Sequence, residues 1–290
     1  MTVDIAIIGF QKAGTTSIQN YIGQHKDVIT HPQKEMTFFS DKTEFDKGLN
    51  LAVNRYFKGK KKEKKTILIK HATLIRSEVN IQRLKKHNPN CKIIICLRDP
   101  VERAYSSYLM ELANGANLPA FDDLIKQAFE KNHKDASDWH YNVFIKLGEY
   151  HRYVSNLFSH FTKEQVYFIQ IEEFHKSTKS CLTSLFKWLK LDIDYVILPK
   201  AEKHNTFKVP RKDLFGFLLK SVQQSLMLKS IVKSIIPQNK HYLFGEKIRD
   251  MGKRKGTKNR MSNETEQMLR NHYQQHNEAL KKIMPLNVAN

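Results

Sequence analysis

Cysteine is scarce in this chain, with three in 290 residues. Cys91, Cys96 and Cys181 include no C-x-x-C pair, and an odd, unpatterned set supports neither a zinc site nor a disulfide framework. Cys96 lies in an apolar run and reads as a core residue. No apolar run reaches membrane-spanning length. No charged-then-apolar leader stands before the first strand, so a reducing cytoplasm is the expected compartment. Acidic residues are also short: 29 against 49 Lys and Arg, a formal charge of +20. Such a field draws polyanions, whether nucleic acid, acidic glycan, anionic lipid or a multiply phosphorylated nucleotide. The basic residues come without a helix-turn-helix, RNP or zinc pattern, which counts against a nucleic-acid-binding module.

What is present reads as a globular chain of alternating strands and helices. Short apolar strands are predicted at Val3–Gly9, Thr66–Lys70, Lys92–Leu97 and Val166–Ile171. Helices are predicted at Thr16–His25, Ser77–Lys86, Pro100–Asn114, Ala120–Lys131 and Asn142–Phe158. This alternation points to an α/β fold, a three-layer sandwich around a central parallel sheet, with residues 1–290 as a single domain. Apolar residues at helical spacing over Leu214–Ile236 mark an amphipathic helix; its lysines admit contact with a membrane surface without requiring it. A closing helix is predicted over Asn263–Ile283, with Ser262 as its hydroxyl cap and Glu264 and Glu266 in its first turn. The basic run Lys58–Lys65 is a solvated loop or, on a sharper reading, a landing strip for an anionic acceptor.

Two motifs bear chemistry. In "IIGFQKAGTTSIQ" Gly9 and Gly14 keep the spacing of a phosphate-binding loop between a strand and a helix. Backbone N–H groups at such a turn, aided by the helix dipole and by Thr15, Thr16 and Ser17, suit an anion. The residue after Gly14 is Thr15, not lysine, and Lys12 lies inside the loop. Magnesium-dependent phosphoryl transfer usually needs that missing lysine and a metal-holding carboxylate. A kinase or NTPase with Asp99 as the carboxylate remains the alternative enzyme. In "LRDPVERAYSSYL" Arg98 ends a strand, Pro100 suits the first turn of a helix, and Ser106 follows on it. An arginine fork and a hydroxyl make a sensible pair of phosphate donors.

Together these stretches resemble the PAPS-dependent sulfotransferases, whose fold is P-loop NTPase-like. "KEMTFF" at Lys34–Phe39 is similar to the K-E-x-x-F-F segment of the glycan O- and N-sulfotransferase branch. "IEEF" at Ile171–Phe174, "HNTF" at His204–Phe207 and "GKRKGTKNRMSNETEQML" extend the likeness. The resemblance implies that Lys12, Ala13, Gly14, Thr15, Thr16 and Ser17 hold the 5′-phosphosulfate of 3′-phosphoadenosine 5′-phosphosulfate (PAPS). It implies that Arg98, Ser106, Lys255 and Gly256 grip the 3′-phosphate, with Arg254 either a further ligand or a surface charge.

Glu35 would be the catalytic base and Lys12 would stabilise the leaving group, with no metal. Read alone, Glu35 would be a surface carboxylate paired to Lys34. Lys34 and Lys70 are expected on the acceptor side, and Tyr242 or Phe244 against adenine. The implied partners are PAPS, its bisphosphate product and a hydroxyl or amine acceptor, a carbohydrate first. The sequence departs from the branch where Thr37 replaces a frequent histidine, and where "KHATLI" keeps Lys70 but lacks the usual proline and tyrosine. Luminal relatives tend to carry a disulfide immediately before the Lys255-Gly256 loop, and no cysteine lies there in this chain.

Overall fold

A computed structural model of the chain describes residues 2–57, 65–130, 138–195, 208–210, 253–255 and 260–284. Among them, β1 (Ile5–Gly9), β2 (Val28–Thr30), β3 (Thr66–Lys70), β4 (Lys92–Leu97) and β5 (Val166–Gln170) form one sheet in the order β2-β3-β1-β4-β5. Every pairing is parallel, with Ile5 opposite both Leu68 and Lys92, and Ile93 opposite Val166. All five residues of β1 are buried, as a strand covered on both faces requires. Burying each of Ile5, Ile7 and Ile8 contributes about 1.5–3 kcal/mol.

The helices are α1 (Thr15–Gly23), α2 (Lys42–Asp46), α3 (Leu49–Phe57), α4 (Glu78–His87), α5 (Pro100–Ala113), α6 (Phe121–Glu130), α7 (Tyr150–Phe158), α8 (Ile171–Lys176), α9 (Thr178–Leu189) and α10 (Asn263–Ile283). Right-handed crossovers put α1, which leads away from β1 toward β2, on the face opposite α4 and α7, which lead the other way. Ring contacts agree. Tyr21 of α1 meets Phe174 of α8, and His25 just beyond α1 meets Phe186 of α9, whereas α4 lies against α7. Three layers result. A second apolar cluster sits under α5, α6 and α10, where Val101, Leu124, Phe144 and Tyr273 pack together. A two-stranded antiparallel ribbon, β6 (Lys208–Pro210) with β7 (Lys253–Lys255), lies beside α5.

The expected helix over Asn142–Phe158 is broken. Residues Tyr141–Ile145 make a wide π turn and Lys146–Gly148 a 3-10 turn before α7 begins. Gly148 explains the site of the break: a Cβ there would lie 2.7 Å from the Tyr273 phenol oxygen, so α10 docks where the chain has no side chain. Ile171 leaves its expected strand and opens α8. The edge strand β2 and helices α2, α3, α8 and α9 go beyond the expected elements. The segments Leu214–Ile236 and His204–Phe207, Tyr242, Phe244, Gly256 and residues 58–64 of the basic run lie outside the described residues.

Candidate active site

The site follows from the strand order. From β1 the chain moves first toward β3 and β2, then crosses to β4 and β5, so β1 lies at the point where the direction of winding reverses. Open parallel sheets bind ligands in the crevice at the carboxyl ends of such strands. Three neighbouring carboxyl ends meet here, carrying Lys70 on β3, the glycine loop after β1 and Arg98 after β4.

The loop turns through two left-handed residues, Lys12 at φ 70° and Gly14 at φ 81°. Gly14 is needed for two reasons. Its φ disfavours any side chain, and a Cβ would stand 2.3 Å from Cδ1 of Ile171. Phe10 donates its N–H to the Cys96 carbonyl, and Ala13 donates to Phe10, which pins the loop to β4. Gly14 occupies the N-cap of α1, so no side chain caps that turn, and the turn holds no acidic residue. The first N–H groups of a helix lack partners inside it, so this nine-residue helix presents donors and a positive dipole end. Ala13 and Thr15 are buried, Ser17 is half-buried and Thr16 is exposed.

Arg98 lies against the same loop. Its Nη1 donates to the Lys12 carbonyl at 3.3 Å, and its Nη2 pairs with Glu102 at 3.2 Å. The Tyr150 phenol donates to the Arg98 carbonyl at 2.9 Å. Glu102 and Ser106 are four residues apart on one face of α5, so Ser106, half-buried, lies on the side Arg98 occupies. Asp99 is spent on structure: its Oδ1 accepts from the Val101 and Glu102 N–H groups, and its Oδ2 faces Arg270 at 3.3 Å. The carboxylate named for a magnesium-dependent alternative is thus the cap of α5. Lys255 ends β7, whose partner β6 lies beside α5.

Glu35 pairs not with its sequence neighbour Lys34, which is exposed, but with Lys70. Lys70 Nζ lies 3.0 Å from Glu35 Oε1, and the Ala72 N–H donates to Oε2 at 2.8 Å. The Lys70 ammonium is 1 % exposed and Glu35 is 29 % exposed, so the carboxylate is reachable and the lysine is not. Lys70 thus lies sealed behind Glu35, whereas the sequence places it with Lys34 on the acceptor side. Met36 donates its N–H to the Lys70 carbonyl, and Phe38 and Phe39 are buried, which anchors the whole segment.

Three residues here escaped the sequence reading. His31 Nε2 accepts the Lys70 N–H at 3.1 Å. His71 is buried beside this pair; burial pushes its pKa down, against the pull of Glu35. Arg103 is fully buried and donates to Ser107 Oγ and to the Val143 and Phe144 carbonyls. Arg103 is thus a structural tie between α5 and the π turn. A buried cation needs such partners, and nothing in the local sequence announces them.

A sulfotransferase domain family matches residues 2–283. The chain belongs to the sulfotransferase family. Curated relatives include the bifunctional heparan sulfate N-deacetylase/N-sulfotransferase 1 of Caenorhabditis briggsae, 26% identical over 201 residues, covering 65% of this chain and 22% of that one. Heparan sulfate glucosamine 3-O-sulfotransferase 3B1 of Homo sapiens is 26% identical over 166 residues, covering 57% and 40%. The chain thus spans less than half the length of these relatives. Among solved structures, a sulfotransferase from Alicyclobacillus acidocaldarius superimposes with a TM-score of 0.58 at 24% identity, covering 80% of this chain and 96% of that one. That likeness is one of fold. Among the described residues no helix is long and apolar enough to cross a membrane.

Proposed function

We propose that this sulfotransferase moves a sulfuryl group from PAPS to a hydroxyl or amine of a carbohydrate, within one domain over residues 1–290. The observation that carries the reading is the convergence of the glycine loop, Arg98 and the Glu35–Lys70 pair on three adjacent strand ends. The open N–H groups at the start of α1, with no carboxylate among them, suit the 5′-phosphosulfate. Arg98 serves the 3′-phosphate by exchanging its contacts with the Lys12 carbonyl and Glu102. The latter pair is largely exposed and worth no more than about 1 kcal/mol. Ser106, Lys255 and Gly256 complete that grip.

In the reaction the sulfur–oxygen bond to the bisphosphate breaks as a new bond forms to the acceptor. Glu35 takes the acceptor's proton, held in place by Lys70 and the Ala72 N–H. Lys12 stabilises charge on the departing oxygen, a role one ammonium can fill because a sulfuryl group carries less charge than a phosphoryl group. Lys34, exposed beside Glu35, meets the acceptor. A carbohydrate acceptor is supported by the heparan sulfate enzymes among the relatives and by the +20 charge, which favours an anionic chain. The three free cysteines suit a cytoplasmic site of action.

The test is transfer of labelled sulfate from PAPS across oligosaccharides, glycolipids and small phenols, with magnesium chelated. Label in a saccharide is the expected outcome. Label only in a phenol would overturn the acceptor class, and transfer to nothing in the panel would overturn the activity.

A further inference from the structure

No metal is expected from the sequence, yet one cluster away from the strand ends has the chemistry of a metal site. His272 and His276 are one turn apart in α10 and share a face. Glu149, at the N-terminal boundary of α7, points into the same place with its side chain 2 % exposed. Its Oε1 lies 3.2 Å from His272 Nε2 and 3.9 Å from His276 Nε2. One ligand atom from each of the three residues lies within 4.8 Å of the others. Zinc–nitrogen and zinc–oxygen bonds of about 2.0–2.1 Å, at a tetrahedral angle, put ligand atoms about 3.3 Å apart. The observed spacings bracket that value. At 3.9 Å the His276–carboxylate gap is too wide for a hydrogen bond.

A surrounding shell orients the candidate ligands. The Tyr141 phenol donates to Glu149 Oε1 at 2.9 Å, and Arg152 Nε holds Oε2. Nδ1 of His276 and of His151 face each other at 3.3 Å, so one proton is shared between them. With that proton on His276, its Nε2 turns a lone pair toward the Glu149 carboxylate. Ligating histidines commonly donate their second ring nitrogen in this way. We propose that Glu149, His272 and His276 bind a divalent transition-metal ion of the zinc class, clamping α10 onto the start of α7. Two imidazoles and one carboxylate suit such an ion better than calcium or magnesium, which take oxygen. The carboxylate binds through Oε1 alone, leaving Oε2 to Arg152, which is 58 % exposed. The next residue, Tyr150, bonds the Arg98 carbonyl, so the clamp braces the nucleotide side of the site without joining the chemistry.

The test uses the whole chain, stripped with chelator, titrated with Zn²⁺ and passed through gel filtration. About one retained ion per chain and a higher thermal midpoint than in EDTA are expected. The chain has 13 histidines, so variants must locate the ion. His272→Gln and His276→Gln should each weaken binding by no less than the roughly 10–100-fold that loss of an outer-shell partner costs, while His175→Gln, on the exposed surface, should leave it unchanged. Equal retention in wild type and His276→Gln, or no retention in wild type, would overturn the site. Should a variant fail to fold, Co²⁺ added to the wild-type chain decides. Intense visible bands of a four-coordinate ion support the site, and the weak spectrum of the hydrated ion overturns it.

Discussion

Glu35 shows how much one buried partner changes a residue's part. Its carboxylate is reachable, but the ammonium that fixes it is sealed from water. Removing the carboxylate leaves an uncompensated buried charge. Glu35→Ala should therefore cost about 3–5 kcal/mol, read from the denaturant midpoint. Glu35→Gln retains a carbonyl to accept from Lys70 or the Ala72 N–H and should cost less. It is the variant for kinetics: turnover should fall by about 10²–10⁴ while bisphosphate affinity, measured by calorimetry, stays near wild type. Unchanged turnover would remove Glu35 from the reaction. Glu35 was legible only through its resemblance to K-E-x-x-F-F. Its true partner was not, because Lys70 is 35 residues away in the chain and reaches it only through the pairing of β2 with β3.

At the level of elements, α5 is tied down from below by Arg103. Arg103→Met keeps the bulk but removes the guanidinium donors from the Val143 and Phe144 carbonyls, leaving Phe144 only the long 3.4 Å contact from the Tyr273 phenol; a buried carbonyl orphaned in this way costs about 1–3 kcal/mol. A fall in stability of about 1–3 kcal/mol is expected from urea unfolding; a change under about 0.5 kcal/mol, the range of surface substitutions, would contradict it. A second tie is acid-sensitive. His87 of α4 accepts the Val3 N–H through Nε2 at 3.0 Å, and burial lowers its pKa.

A lowered histidine pKa means that the unfolded chain takes up the proton first. The stabilisation is then whole above the unfolded value of about 6.5 and is lost as pH falls through the folded one. His71 acts in the same direction. The thermal midpoint should drop on acidification below that value, and the drop should be shallower in His87→Gln. Among the elements, α10 was fully legible, since its cap, Ser262, donates nothing to chance: its Oγ accepts the Thr265 N–H. The break before α7 was not, because its cause, Tyr273, enters from a helix far along the chain.

Across the whole molecule, the sheet order makes the site. Alternating apolar strands and helices imply an α/β sandwich, yet the order β2-β3-β1-β4-β5 depends on which strands pair, and short apolar strands of similar composition carry no label for that. The loop and Arg98 were readable as two phosphate ligands; that Arg98 would touch the Lys12 carbonyl was not. The +20 charge adds a long-range term that salt screens over about 8–10 Å. Anionic acceptors should therefore lose affinity between low and physiological salt more steeply than neutral ones.

In the proposed function the loop and Arg98 grip the two ends of one adenosine nucleotide. The most direct measurement is calorimetric binding of adenosine 3′,5′-bisphosphate and of its 3′-dephospho analogue, in EDTA, to the wild type and to Arg98→Ala. Tight, metal-independent binding of the bisphosphate is expected, weakened at least about tenfold, or about 1.4 kcal/mol, by Arg98→Ala, with the analogue nearly indifferent to the change. Equal affinity for both nucleotides, or binding that appears only with magnesium, would contradict it.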